Sequence, residues 1–440
     1  MIEPKFEASV GMSRKWDARE AGREVAETAI QKLSSPPDFF LLFSTIHYEK
    51  YGGFQEFLNG VWDVLPEGTL LVGGTFSGFA NNKGCFTRGA TALAVSSDKI
   101  QVRAGFGKNI KKSPKKASKN LIHMLKSDTA STYKNKYIFE FIASGTVPKF
   151  TGLGTTRVLR VPKILNKAIN PTFSFLIRVF QYGAGREEEV LDSLSKSFPN
   201  HLIIGGSTSD DNRWERSYQF FDKQVLQHSV VALSVETDVN NLFASETGFN
   251  PTGIKMKPTK IGNFNCSIVK LDGKPAFNEF ISRIGWPEGM FDERLHRRTL
   301  YYPLGAKDEN GEYLRLVALV IGSNLVFSNR IKPINLEIYT ASGKGLMDAI
   351  DTAIASLNAK RKEILFSFVV SCTTRLEALG RHIYAEQEKL EQFFGEKPFV
   401  VIYASGEDSV GSSGKWVRRN ESFNVMSFFE GENNSANQNS

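Results

Sequence analysis

Residues 71–77 (LVGGTFS) and 201–207 (HLIIGGS) decide how this chain is read. Each is a short apolar run closing on Gly-Gly and a small hydroxyl residue, the pattern of a buried strand whose end lies close to another backbone. A third run, residues 401–406 (VIYASG), ends in small residues in the same way, 330 positions after the first. Each is preceded by another apolar run of strand length: 40–45 (FLLFST), 139–144 (FEFIAS) and 366–371 (FSFVVS), the first and last offset by 326. Helices fit ahead of these pairs. Asp17 and Glu20 form a capping box, Ala18, Ala21, Gly22, Val25 and Ala29 share one face, and Pro36-Pro37 stops the helix. At an offset of 328 the same face returns as Leu346, Ala349, Ile350, Ala353 and Leu357. Ser113-Pro114 opens a helix through Leu125, with proline at its favoured first position.

The sequence therefore holds three weak copies of one unit. In the middle copy the offset from the first grows from 99 to 132 between its two strands, so about 33 residues are inserted there. Alternating β-branched runs follow each Gly-Gly strand and predict antiparallel hairpins. The expected fold is mixed α/β (α+β): strand–helix–strand–helix–strand–meander units forming two packed lobes. The expected division is a two-copy region over 1–247 with an insert at about 145–185, a connecting segment at 248–300, a C-terminal region at 301–430 and a disordered tail at 431–440.

Composition narrows the function classes. With 440 residues, 41% of them hydrophobic and 34 of them Phe, the chain has ample apolar material for folded cores and is not disordered as a whole. The N-terminus lacks the apolar segment of a signal peptide, and no run of about 18 apolar residues predicts a transmembrane segment. Three scattered cysteines, Cys85, Cys266 and Cys372, fit a reducing cytoplasm better than a disulfide framework. The net charge of +8 is local: residues 103–167 carry fifteen Lys or Arg against Asp128 and Glu140, leaving the remainder mildly acidic. The basic 103–180 region suits a solvated face or contact with a membrane surface. Its low aromatic content argues against specific nucleic-acid binding.

The order of motifs resembles the FIST family, in which a FIST N region is paired with a FIST C region. The N-region pieces are Gly73-Gly74-Thr75 and Gly205-Gly206-Ser207 with Asp210-Asp211. The C-region pieces are Tyr302-Pro303-Leu304-Gly305, Ser371-Cys372-x-x-Arg375 with Gly380, Tyr403-x-x-Gly406-Glu407, and Asn420-x-Ser422. The resemblance implies a sensory, small-ligand-binding protein, for an amino acid or related anion, that signals through a separate effector protein. It also implies two alternatives: an interaction scaffold like the F-box relative, and a haem-based gas sensor. The chain departs from the family at residues 73–80, which carry neither the usual Cys nor the later Glu.

The expected ligand site comprises Cys372, Arg375, Tyr403, Gly406, Glu407 and Asn420 with Gly205, Gly206, Ser207, Asp210 and Asp211. Cys372 stands where a strand gives way to a helix, the edge at which open α/β sheets take ligands, and Arg375 follows one turn later. Against this stands a packed cysteine with Arg375 paired to Glu407. The Gly-Gly turns serve a ligand or close backbone approach, and Asp210-Asp211 a ligand or a turn. No catalytic residue is assigned, since no histidine is tied to Cys372 by spacing; an enzyme using Cys372 as nucleophile stands as a further alternative. Six histidines show no metal-site spacing, though haem needs only one imidazole.

Overall fold

The computed structural model describes residues 6–127, 132–147, 149–150, 154–155, 157–159, 183–262, 265–287, 298–308, 311–410 and 416–430. The expected tail and most of the 145–185 insert lie outside these residues.

The three copies are three structurally equivalent units. The first comprises β1 (Phe6–Ser13), α1 (Ala18–Ile30), β2 (Phe39–Ser44), α2 (Phe54–Trp62), β3 (Leu70–Thr75), the short hairpin β4 (Phe79–Asn81) and β5 (Gly84–Phe86), and β6 (Ala90–Ser97). The second has β7 (Ile100–Gly107), α3 (Pro114–Leu125), β8 (Asn135–Ala143), α4 (Arg186–Ser197), β9 (Leu202–Thr208), the hairpin β10 (Tyr218–Phe221) and β11 (Gln224–Gln227), and β12 (Val230–Thr237). An α5 helix (Ala276–Ile284) belongs to a segment described below. The third has β13 (Asn240–Glu246), α6 (Gly343–Ala355), β14 (Ile364–Cys372), α7 (Thr373–Leu379), α8 (Ile383–Phe394), β15 (Phe399–Ala404), the hairpin β16 (Glu407–Val410) and β17 (Trp416–Arg419), and β18 (Phe423–Phe429). Local signals place these elements. Asp17 caps α1 through the Glu20 amide, and α3 starts on Pro114.

Each unit forms a mixed sheet whose two central strands run parallel: β2 with β3, β8 with β9, β14 with β15. None completes its sheet alone. The hairpin of the second unit pairs with β3, that of the third with β9, and that of the first with β15. The sheet orders are β1-β6-β2-β3-β10-β11, β7-β12-β8-β9-β16-β17 and β13-β18-β14-β15-β4-β5, a cyclic exchange. Three equivalent amides close the ring: Ser77 donates to the Tyr403 carbonyl (3.3 Å), Ser209 to Thr75 (2.8 Å) and Ser405 to Ser207 (3.2 Å).

The inner faces of all three sheets meet in one core. Phe43, Phe141 and Phe368, one from each central strand, pack with ring centroids 5.1, 5.9 and 6.2 Å apart. Aromatic burial of this kind contributes about 1.5–3 kcal/mol per side chain. The outer faces are covered by α1 and α2, by α3 and α4, and by α6, α7 and α8. The Gly-Gly strand ends serve close approach: a Cβ on Gly73 would fall 1.8 Å from the Leu42 carbonyl oxygen, and one on Gly205 1.8 Å from that of Glu140.

A second, smaller lobe sits between β13 and α6. Strands 249–256, 304–308, 311–315 and 336–341 form one of its sheets, and strands 258–261, 267–271, 317–321 and 324–327 the other, with α5 packed on their apolar side. Val158 and Leu159, from the insert of the second unit, extend the latter sheet parallel to Val320 and Ile321. The fold is thus mixed α+β with two lobes, one built of all three repeats and one of residues 249–341. Of the expected connecting segment, strands 249–256, 258–261 and 267–271 and helix α5 lie in that smaller lobe.

Candidate functional site

The residues expected to line one ligand site fall into four places. Cys372 is the last residue of β14 and precedes α7, as the sequence indicates, but it is buried together with Glu407, Glu421 and Asn420. Thr374 Oγ1 donates to Cys372 Sγ at 2.9 Å and also to Glu421, while Ser422 donates its amide (3.1 Å) and hydroxyl (3.0 Å) to Glu407. Burial pushes Glu407 up to about 7 and Glu421 up to about 8. Burial, with those two carboxyls beside it, raises the Cys372 thiol well above its ordinary range.

Arg375 is elsewhere. Its Nε donates to Glu386 at 3.0 Å and its Nη2 to the Leu346 carbonyl at 2.8 Å, with neither Arg375 nor Glu386 exposed. The helix α8 acid, not Glu407, is its partner. Tyr403 is buried on the same side of the sheet, its hydroxyl 3.6 Å from Cys85 Sγ. Asp210 is occupied by a turn, accepting from the amides of Arg213 (2.9 Å), Trp214 (3.0 Å), Glu215 (2.8 Å) and Arg216 (3.3 Å). Asp211 is exposed and pairs with Arg213 at 3.2 Å.

Of the remaining ones, Gly205 packs on the Glu140 backbone and Gly206 on Gly406, while Ser207 and Gly406 contact a residue the motif reading missed. Arg418, on β17, passes over Gly406, where a Cβ would lie 2.3 Å from its Nη2. Its guanidinium donates to Asp408, Glu187 and Ser207, and Ser207 in turn donates to Glu187. Gly145 contributes its amide to Glu187 at 3.1 Å. Beside this group, Glu188 accepts from the Arg330 amide at 3.0 Å and lies 3.6 Å from Arg315. Burial raises Glu140, Glu187, Glu188 and Asp408 above the usual carboxylate range. Burial alone would lower Arg418; the surrounding carboxylates hold it raised instead.

This network forms the floor of a pocket of about 340 Å³ between the β16–β17 hairpin, α4 and the smaller lobe. Arg315, Arg418 and Arg419 are its buried cations, Arg330 and Lys332 stand nearer its mouth, and Glu188 and Asp192 are its acids. Tyr313 is sandwiched there, with Arg315 4.1 Å and Lys332 4.9 Å from its ring centroid. Trp416 completes the wall. Among the described residues the Arg418 Nε–H has no acceptor although it is buried. A buried donor left without a partner costs about 1–3 kcal/mol. Arg419 also lines a neighbouring pocket of about 460 Å³ beside the start of α6. Among the described residues no group of three or more His, Cys, Asp or Glu is arranged to hold a metal ion.

The pocket went unseen in the sequence because its cations come from distant segments with no shared spacing. The pair Arg418-Arg419, immediately before the Asn420-x-Ser422 motif, was the available signal.

A model of the FIST N domain matches residues 38–274. This chain belongs to the FIST family. The family is a sensory, ligand-binding one. The chain is also 26% identical over 234 residues to an uncharacterized protein of Methanocaldococcus jannaschii, a match covering 51% of this chain and 38% of that protein. The matched part thus spans well under two thirds of its relative. Among solved structures it is similar to cyanuric acid hydrolase from A. caulinodans, at 6% identity and a TM-score of 0.37, over 96% of this chain and 99% of that one. A likeness of that size is given no functional weight. In this FIST protein no helix among the described residues is long and apolar enough to cross a membrane.

Proposed function

We propose that this FIST protein is a cytosolic sensor that binds a small anion in the arginine-lined pocket and signals through a separate effector protein. The observation that carries this reading is the pocket's lining of five cationic side chains against two acids. Guanidinium groups suit carboxylate, sulfate and phosphate because their donors match two oxygens at once. The aromatic side chains Tyr313 and Trp416 fit an organic body attached to the anionic group, as in an amino acid or a small carboxylate. The site lies where the smaller lobe meets the hairpin donated by the third unit, so a ligand there can bias how the lobes pack.

Binding rather than turnover is the role we assign. Cys372 is protonated by its surroundings, and the thiol form is a poor nucleophile. Residues 301–430 we read as the FIST C region, on the motif order given above. The scaffold alternative would use the 145–185 insert, most of which lies outside the described residues.

The test is a thermal-shift and calorimetric screen of amino acids, dicarboxylates, sulfate and phosphate against the full chain. A ligand at a hundred times its Kd raises stability by about 2.7 kcal/mol. Arg330→Ala with Lys332→Ala should weaken any hit at least tenfold. An undiminished response in that double variant would remove the pocket as the site.

A further inference from the structure

The pocket floor is also the lid of a carboxyl cluster. Behind Arg418 lie Glu140 on β8, Glu187 and Glu188 on α4, and Asp408 on β16. Glu407 on the same hairpin also faces Arg418. Facing them are the guanidiniums of Arg418 and Arg315, the Arg330 amide, the Ser207 hydroxyl, the Gly145 amide and, beyond Glu187, the buried Lys111 ammonium. Five buried carboxyls, Glu407 among them, thus face the guanidiniums of Arg418 and Arg315, the Arg330 guanidinium beside Glu188 and the Lys111 ammonium beside Glu187, so the acids still outnumber the cations. Glu140 and Asp408 are both buried in this group, and the Asp408 charge adds to burial in raising Glu140. Two adjoining carboxylates cannot both stay ionised in such a place.

We propose that an anion entering the pocket draws Arg418 and Arg315 away from this cluster, which then takes up a proton from solvent, so that the protein responds to an anion and to acidity together. The step rests on the pocket being the ligand site, as proposed above. Its physical basis is that Arg418 is shared. Arg418 lines the pocket, and its guanidinium neutralises Glu187 and Asp408. An anion that engages Arg418 from the pocket side weakens its hold on those two, and a buried carboxylate that loses its cation is more stable protonated. Charge balances: the anion brings negative charge to the front of the guanidinium, and the proton removes negative charge behind it. Burial already raises Glu140, Glu187, Glu188 and Asp408 above their ordinary range.

Sulfate is the probe, since it keeps its charge over the working range and contributes no proton of its own. Calorimetric titration of the full chain is run between about pH 6 and about pH 8, in buffers differing in ionisation enthalpy. Uptake of one proton per sulfate predicts that binding tightens about tenfold per pH unit on acidification, and that the observed heat varies with the buffer accordingly. Glu187→Gln should flatten that slope. Asp408→Asn serves the same purpose should the first variant fail to fold, and the buffer dependence of the unaltered protein decides the matter without either. Sulfate bound with no proton uptake, or with the same slope in a folded cluster variant, overturns the coupling while leaving the ligand site intact. No sulfate binding at any pH overturns both.

Discussion

Arg375 and Glu386 form an ion pair at 3.0 Å with neither side chain exposed, linking α7 to α8 beneath the sheet of the third unit. The Leu346 carbonyl on α6 takes a second Arg375 donor, so three helices are tied at one guanidinium. Removing one member of such a pair leaves the other charged and dry. Arg375→Ala is expected to cost about 3–5 kcal/mol, read as a fall in the urea midpoint with the slope unchanged. The pair Arg375→Met with Glu386→Leu should recover most of it. A loss below about 1 kcal/mol in the single variant would show that the pair is not the tie it looks like.

Stability should decline as the pH rises toward 8. Glu407 and Glu421 have folded-state values near 7 and 8, above their ordinary unfolded ones. Between the unfolded and folded values the native state holds more protons than the unfolded chain. The stabilisation is therefore complete below the unfolded value and is lost as pH rises through the folded one. Each group contributes up to about 1.4 kcal/mol per pH unit in that window. Urea unfolding from about pH 5 to about pH 8 checks the slope, which Glu421→Gln should reduce. A flat or rising profile refutes it.

Gly73→Ala and Gly205→Ala should behave alike, because the added Cβ meets a neighbouring main-chain carbonyl at the same 1.8 Å in both units. Neither backbone can yield without parting the two central parallel strands. Each substitution is expected to cost at least about 2–3 kcal/mol by thermal or urea unfolding. A marked difference between the two would mean that the units are less equivalent than their pairing suggests.

The thiols should be quiet. Cys85, Cys266 and Cys372 are all buried, burial raises each, and Cys85 is pushed up to about 12. An aromatic disulfide reagent at about pH 8 should modify the native protein far more slowly than the urea-unfolded chain, which should release three equivalents promptly. Rapid native labelling would contradict the burial of Cys372 and reopen its use as a nucleophile.

Much of the architecture was readable from residue order alone. The Asp17 cap, the Pro114 start of α3 and the apolar face at Leu346, Ala349, Ile350 and Ala353 are local signals, and the structure honours them. The Gly-Gly strand ends do converge, as Ser77, Ser209 and Ser405 show. They converge in hydrogen-bonded contact, and the arginine-lined pocket is formed by other residues. What no local pattern could supply was which sheet each hairpin joins. That choice depends on pairing between residues such as Gly206 and Glu407, whose partnership no periodicity records. The arginine pocket was hidden for the same reason, since Arg315, Arg330 and Arg418 become neighbours only after the smaller lobe is docked.

The ring of traded hairpins has a consequence for how the molecule is made. While the chain is still being synthesised, the open border of β9 must wait for residues 407–410, and that of β15 is filled by a hairpin produced long before it. No unit can therefore reach its finished state as it leaves the ribosome. The third hairpin acts as the clasp of a necklace, and a chain cut short before it should stay exposed to proteases and to sticky pairing with its neighbours.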